Sequence, residues 1–182
     1  MQTSGQAKFR KSKTELPPPG GYSRSVLTIE RKNHECVRIN VKSFSQRLKK
    51  YPYNKATQIQ LASFEGFRIP LLNDTICYSK LKEVKNLTLL QIDSLTDLLY
   101  NVGFGGTILL EVEMACYDPR NAIIFIDSTG KAFAFIEICF ECEQFVVSSE
   151  KIKFGDICNQ KFSMLKKQFK NAGIAYGTAN ED

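Results

Sequence analysis

Three apolar segments separated by turn-forming residues constrain the fold of this chain more than any other feature. Residues 107–115 alternate apolar and polar side chains, and residues 122–127 and 132–139 are strongly apolar. The turns between them are Asp118-Pro119 and Asp127-Ser-Thr-Gly130. Strand-length segments joined by such turns favour antiparallel neighbours. The sequence therefore predicts an antiparallel meander, which a fourth run at 144–148 continues.

Two segments show the periodicity of amphipathic helices. The first, at about 88–102, begins with a capping box of Thr88 and Gln91 and is followed by Gly103, which is expected to act as a left-handed stop. The second, at about 156–172, places its apolar side chains on one stripe. The predicted fold class is therefore α+β, a mostly antiparallel sheet with two principal helices packed on it.

Two further strand pairs are expected before the first helix. Residues 26–31 and 36–42 alternate apolar with polar side chains around His34, which predicts a hairpin with the histidine at its turn. Residues 57–64 and 67–72 suggest a second pair. Both pairs would add antiparallel strands to the meander.

The domain organisation follows from length and composition. A chain of 182 residues with 43% hydrophobic content is predicted to form one domain with a core of ordinary size. Residues 1–25 are polar and basic and contain Pro17-Pro18-Pro19, so they are expected to be a disordered tail. Residues 26–177 then form the single α+β domain, and residues 178–182 a disordered C-terminus.

The net charge of +6 is unevenly distributed. Residues 1–50 carry 12 Lys and Arg against 3 acids, whereas residues 51–182 carry 13 against 16. The acidic body favours a basic protein as a partner. Residues 46–55 interleave cations with two tyrosines, which is chemistry that can bind nucleic acid, but a solvated connection is the favoured interpretation. Nucleic acid is therefore not an expected partner.

The location of the protein stays open between two compartments. The apolar runs have strand length, so no transmembrane segment is predicted. The chain as given has no secretory signal, which fits a cytoplasmic protein. Its polar start resembles the tether that follows an anchoring residue, which fits a lipid-anchored protein of the bacterial envelope whose signal has been removed.

The candidate site is a group of cysteines in the last third of the chain. Its members are Cys116, Cys139, Cys142 and Cys158. The register of the meander places Cys116 and Cys139 at the same end of the sheet, close to Pro119 and Arg120. In an extended strand, Cys139 and Cys142 would lie about 10 Å apart on opposite faces. They can therefore act together only if the strand bulges or turns between them.

Four interpretations of these cysteines remain open. All four thiolates can form a structural zinc site, with the C-x-x-C spacing in its favour. Two of them can instead cycle between dithiol and disulfide in a thiol-redox protein. A structural disulfide between Cys116 and either Cys139 or Cys142 is the third interpretation, and reduced thiols packed in the core are the fourth. No cofactor is the favoured expectation, with zinc as the alternative.

The same segments resemble a known family. Cys116-Tyr-Asp-Pro119-Arg120, Ile138-Cys139-Phe140-Glu141-Cys142 and Gly155-Asp-Ile-Cys158 are similar to motifs of a family of uncharacterised bacterial proteins, over residues 84–177. Several members look like small envelope lipoproteins, so the resemblance implies an envelope location. It implies no activity. Many relatives have His at the position of Asn121. The resemblance therefore carries no role of that imidazole over to this chain.

Catalytic groups are not apparent in the sequence. The single histidine, His34, has no obvious nucleophile partner, and the acids are scattered without a paired-carboxylate spacing. The expected function is therefore non-catalytic protein binding, either toxin neutralisation of the immunity-protein kind or an accessory role in the envelope. The alternative is a thiol-redox or structural zinc protein built on the cysteine group.

Overall fold

A five-stranded antiparallel sheet organises the protein. The computed structural model describes residues 23–72, 75–108 and 116–179. In chain order the elements are α1 (Arg24–Asn33), β1 (Cys36–Arg38), α2 (Phe44–Leu48), β2 (Gln58–Phe64), β3 (Leu71–Leu72), β4 (Thr75–Ile76), β5 (Leu81–Asn86), α3 (Leu89–Asn101), β6 (Val102–Phe104), β7 (Asn121–Ile126), β8 (Ala132–Cys139), β9 (Gln144–Val147) and α4 (Lys161–Asn171). The main sheet has the order β5-β2-β7-β8-β9, and β1-β6 and β3-β4 form two small sheets. The predicted α+β fold class is confirmed.

Strand β7 lies at the centre of the sheet, and all six of its residues are buried. Ile123 and Phe125 point into the larger core, which α3 and α4 cover. Ile124 and Ile126 belong to a smaller core on the other face, together with Ile69. A strand covered on both faces is apolar throughout instead of alternating, and residues 122–126 show this pattern.

Helix α3 begins as predicted and ends for a different reason. The Gln91 backbone N–H donates to Thr88 Oγ1 at 3.3 Å, and the Thr88 N–H donates to Gln91 Oε1 at 2.9 Å, so the capping box is formed. The predicted left-handed stop at Gly103 is wrong, because this residue continues into β6. The buried Lys161 amine donates instead to the carbonyls of Leu98 at 2.6 Å and Val102 at 2.7 Å. This amine binds carbonyls that the helix leaves unpaired.

The final helix starts later than predicted, at Lys161 instead of Asp156. The residues before it have no helical structure and are held by separate contacts of their side chains. The Phe154 ring stacks on Phe145 with 4.0 Å between centroids, and Cys158 forms a disulfide with Cys36. The helix ends before Gly173, whose φ of +88° favours glycine. Its predicted buried stripe of Phe162, Leu165 and Phe169 is confirmed.

The predicted hairpin over 26–31 and 36–42 is wrong. Residues 24–33 form α1, which Ser23 caps by accepting the Val26 N–H at 3.4 Å. Leu27 and Ile29 are exposed, so the alternation does not mark a buried strand face. Only residues 36–38 form a strand, and this strand pairs with β6.

The predicted pair of 57–64 with 67–72 is also wrong. Both edges of β2 are already taken, by β5 on one side and β7 on the other. Residues 71–72 pair instead with residues 75–76 in the short hairpin β3-β4. Strand β2 itself is confirmed.

The segment 46–55 is not the solvated connection that the sequence favours. Arg47 and Tyr53 are each 5% exposed. The Arg47 guanidinium donates to Thr96 Oγ1 at 3.1 Å and forms an ion pair with Asp93, which ties α2 to α3. These two side chains are therefore used inside the protein and are not free to contact a nucleic acid.

Each of the two predicted tails, residues 1–25 and 178–182, includes some residues that the structure describes. Helix α1 begins at Arg24, inside the expected tail, and residues 1–22 lie outside the described part of the chain. At the other end, Thr178 is buried, and its hydroxyl donates to the Ile174 carbonyl at 2.9 Å. Most of the predicted strand over 107–115 also lies outside the described residues. In the described ranges, no helix is long and apolar enough to cross a membrane.

The buried stripe of α4 gives a first prediction. Phe169 is fully buried, and its ring meets Phe140 edge-on at 5.2 Å. Phe169→Ala is expected to lower the free energy of unfolding by about 3–5 kcal/mol, because it leaves a cavity in the core. Lys167→Ala, on the exposed face of the same helix, is expected to change it by about 0.5 kcal/mol or less. Denaturant titration measures both, and similar losses would contradict this assignment of the helix faces.

Candidate functional site: a buried thiol and carboxyl cluster

The structure places three of the four candidate cysteines at one end of the main sheet. Asn121 pairs with Ile138, so the residues that enter β7 lie beside those that leave β8. Cys116 comes just before β7, and Cys139 is the last residue of β8. The sequence register therefore locates this pair at the correct end of the sheet.

A tight turn brings Cys142 to the same place. The chain turns over residues 140–143, where Glu143 has a φ of +50°. The Cys142 backbone N–H donates to Cys139 Sγ at 3.2 Å, and both residues are buried. The condition set by the sequence geometry, that the strand must turn for these two cysteines to meet, is fulfilled. We call Cys116, Cys139 and Cys142 the thiol cluster.

Cys142 is the centre of the thiol cluster. The side chains of Cys116 and Cys139 and the Asp118 backbone N–H lie next to its sulfur. The pKa of the Cys142 thiol is raised to about 12, mainly by burial and also by the two neighbouring thiols, whereas the Asp118 N–H lowers it. Cys142 is therefore a neutral thiol at physiological pH. Cys116, in contrast, is exposed to solvent.

Cys158 does not belong to this cluster. It forms a disulfide with Cys36 across 122 residues of sequence, with 5.0 Å between the Cα atoms. The predicted zinc site that uses Cys158 as a fourth thiolate is therefore not formed. In the described ranges, no group of three or more His, Cys, Asp or Glu side chains is arranged to hold a metal ion.

The remaining candidate residues surround the turn. Pro119 is buried. Arg120 Nη2 lies 3.3 Å from Asp118 Oδ2, and its Nη1 lies 3.9 Å from Glu141 Oε1, so the guanidinium bridges the two chain segments that carry the thiols. Asn121 is buried, and its Nδ2 donates to the Tyr176 carbonyl at 3.0 Å. This amide holds the C-terminal segment against β7.

A buried carboxyl group beside the thiols was missed by the sequence analysis. Glu137 lies two residues before Cys139 on the same strand and is 4% exposed. Its Oε1 accepts the Ile69 backbone N–H at 2.5 Å, and its Oε2 accepts the Tyr117 hydroxyl at 3.4 Å. The signal was present, because Glu137 is the only charged residue in the apolar segment 132–139.

Burial favours the protonated forms of the Glu137 carboxyl and the Tyr117 hydroxyl. It raises the pKa of Glu137, against the Ile69 N–H, the positive charge of Arg68 and the Tyr117 hydroxyl, which lower it. Burial also raises the pKa of Tyr117 above its ordinary value, and the nearby Glu137 charge adds to this. The two side chains thus share a site that disfavours negative charge.

His34 takes no part in this site. It lies at the C-terminal end of α1, where Nε2 is 3.2 Å from Glu30 Oε1 and the ring meets Phe104 edge-on at 5.7 Å. These contacts explain the histidine as part of the packing between α1 and β6. They also leave the thiol cluster without an imidazole base.

Glu137 gives a second prediction. A carboxyl whose pKa is raised by folding keeps its proton in the folded state at pH values where the unfolded chain has lost it. The contribution of the Glu137 carboxyl to stability is therefore largest in acid. It is lost as the pH rises from the ordinary pKa of this group through its raised pKa in the folded state. Glu137→Gln removes this charge but keeps an acceptor for the Ile69 N–H. The variant should be at least as stable as the wild type at pH 7, with the difference shrinking towards pH 4.

Glu137→Ala is the contrasting variant. It leaves the buried Ile69 N–H without its acceptor, which costs about 1–3 kcal/mol. Denaturant titration of the three proteins between pH 4 and pH 7 checks both expectations. A Gln variant that is less stable than the wild type at pH 7 but equal to it at pH 4 would show that the carboxylate stabilises the fold.

Three comparisons with known proteins complete the description of this site. No family profile matches the chain, and neither the curated proteins nor the solved structures contain a significant match. The similarity in the cysteine motifs to a bacterial envelope family is therefore still an expectation from the sequence.

Proposed function

We propose that this chain is a non-catalytic protein-binding module, of the kind that neutralises a toxin as an immunity protein or serves as an accessory factor in the bacterial envelope. The observation that carries the proposal is a loop, described over residues 65–72 and 75–80, that exposes large apolar side chains. We call it the apolar loop. Two of the side chains that it exposes, Phe67 and Tyr78, are aromatic, and aromatic residues are enriched at the centres of protein interfaces.

The apolar loop concentrates exposed apolar side chains in a short stretch. Phe67 is 79% exposed and Leu72 is 65% exposed, and Leu71 and Tyr78 are also exposed. Scattered apolar side chains are ordinary on protein surfaces, but a concentration of them is typical of interaction sites. Aromatic side chains are enriched at interfaces and often carry much of the binding energy.

The loop is also firmly anchored. Ile69 and Ile76 are buried in the smaller core, and the Ile69 N–H binds Glu137. The Cys77 N–H donates to the Pro70 carbonyl at 2.8 Å, and the Tyr78 hydroxyl donates to Gln60 Oε1 at 2.8 Å. A loop held in this way loses little conformational freedom on binding, which favours affinity.

The charge of the chain supports a basic partner, and the disulfide supports an oxidising compartment. Residues 51–182 carry a net charge of −3, which favours a partner with a basic surface through long-range attraction. The Cys36–Cys158 bridge supports a location in the envelope, because disulfides persist mainly in oxidising compartments. A lipid anchor added after removal of a signal would be consistent with that location.

The third prediction tests the apolar loop with a matched pair of variants. A photo-crosslinking amino acid at Leu72 identifies the partner in extracts of the native cells. Binding of that partner is then measured for Phe67→Asp/Leu72→Asp and for Leu89→Asp/Leu90→Asp. The second pair replaces two apolar side chains that are equally exposed, in the first turn of α3, where Asp suits the helix.

The loop variant should weaken binding at least tenfold, which corresponds to about 1.4 kcal/mol, while the α3 variant should change it less than threefold. Circular dichroism and thermal unfolding establish that both variants fold. Equal binding by the loop variant and the wild type would show that the apolar loop is not the contact surface.

A further inference from the structure

The thiol cluster combines one accessible sulfur with two that solvent does not reach. Cys116 is exposed, whereas Cys139 is 1% exposed and Cys142 is 3% exposed. A dissolved oxidant or disulfide can therefore meet the cluster only at Cys116. The buried Cys142 side chain lies beside that of Cys116, so a second sulfur is already next to the accessible one.

We propose that Cys116 and Cys142 form a redox-active dithiol that exchanges with small disulfides, Cys116 being the entry point and Cys142 the resolving thiol. In the first step, the Cys116 thiolate attacks one sulfur of a disulfide such as oxidised glutathione. A mixed disulfide forms at Cys116, and one glutathione thiolate leaves and takes up a proton from water. In the second step, the Cys142 sulfur attacks the Cys116 sulfur, and the second glutathione leaves with the proton that Cys142 gives up. The net reaction oxidises two protein thiols to one disulfide and reduces one glutathione disulfide to two thiols.

The surrounding groups favour Cys142 over Cys139 as the resolving thiol. Cys139 Sγ accepts the Cys142 N–H at 3.2 Å, so it helps to hold the turn that presents Cys142. The Asp118 N–H beside the Cys142 sulfur lowers the pKa of this thiol, against the burial that raises it, and so stabilises negative charge there as the proton leaves. Cys142 also lies next to both of the other thiols of the cluster. The reaction then joins β7 and β8 covalently at one end of the sheet.

Peptide mapping of the full-length protein tests this proposal directly. The protein is incubated with oxidised glutathione, quenched in acid, alkylated and digested with trypsin and a glutamate-specific protease. Cleavage after Arg120 and Lys131 separates Cys116 from the other two cysteines, and cleavage after Glu141 separates Cys139 from Cys142. The three pairings of the thiol cluster are thus distinguishable by mass spectrometry.

We expect a Cys116–Cys142 linked peptide and two glutathione thiols released for each bridge. Cys77 is the internal control, because it is a partly exposed free thiol outside the cluster whose sulfur lies 3.4 Å from Ser79 Oγ. Cys77 should be recovered mainly in the alkylated form, and any mixed disulfide with glutathione should form there only slowly. The Cys36–Cys158 bridge should be unchanged. This outcome does not depend on the binding function proposed above.

Two variants extend the test. Cys142→Ser should accumulate glutathione at Cys116, because no resolving thiol remains, whereas Cys139→Ser should still form the Cys116–Cys142 bridge. Three results for the wild type would overturn the proposal: a lasting mixed disulfide at Cys116, a bridge between Cys139 and Cys142, or reaction at Cys116 no faster than at Cys77. These results need no variant, so the test stands even if a variant fails to fold.

Discussion

The burial of β7 on both faces is the constraint on which the rest of the structure depends. A strand with no polar side chain facing solvent needs a cover on each side, and the protein supplies two different ones. Helices α3 and α4 cover one face, and the smaller core that includes Ile69 and Ile76 covers the other. The apolar loop is therefore both a part of the packing and the carrier of exposed apolar side chains. Cys116 comes just before this strand in the chain. The position of β7 therefore also determines at which end of the sheet the thiol cluster lies.

The sequence predicts those elements whose determinants are local. The capping box of Thr88 and Gln91, the stripe on α4 and the strands β7 and β8 are all recognisable from spacing alone. The end of α3 is not, because the group that binds its last carbonyls is Lys161, sixty residues further along the chain. The alternation over residues 26–31 is misleading even though the Ser23 cap of α1 is local, because Leu27 and Ile29 are exposed and do not mark a buried strand face.

The candidate site also contains some features that the sequence predicts and others that it does not. Counting from the turns locates Cys116 and Cys139 at one end of the sheet, because antiparallel register carries over short distances. The pairing of Cys36 with Cys158 depends on the fold as a whole, and no spacing rule connects cysteines 122 residues apart. Glu137 could have been recognised as unusual from its apolar surroundings. Its partners could not, because the Ile69 N–H and the Tyr117 hydroxyl come from segments distant in sequence.

The Cys36–Cys158 bridge has a topological consequence. It closes residues 36–158 into a covalent ring that contains all five strands of the main sheet, the apolar loop and the thiol cluster. A single break in the backbone inside this ring opens it without separating the chain into two pieces. An exposed loop can thus be nicked while every strand stays tethered to its neighbours. Such tolerance suits a protein whose proposed contact surface is an exposed loop.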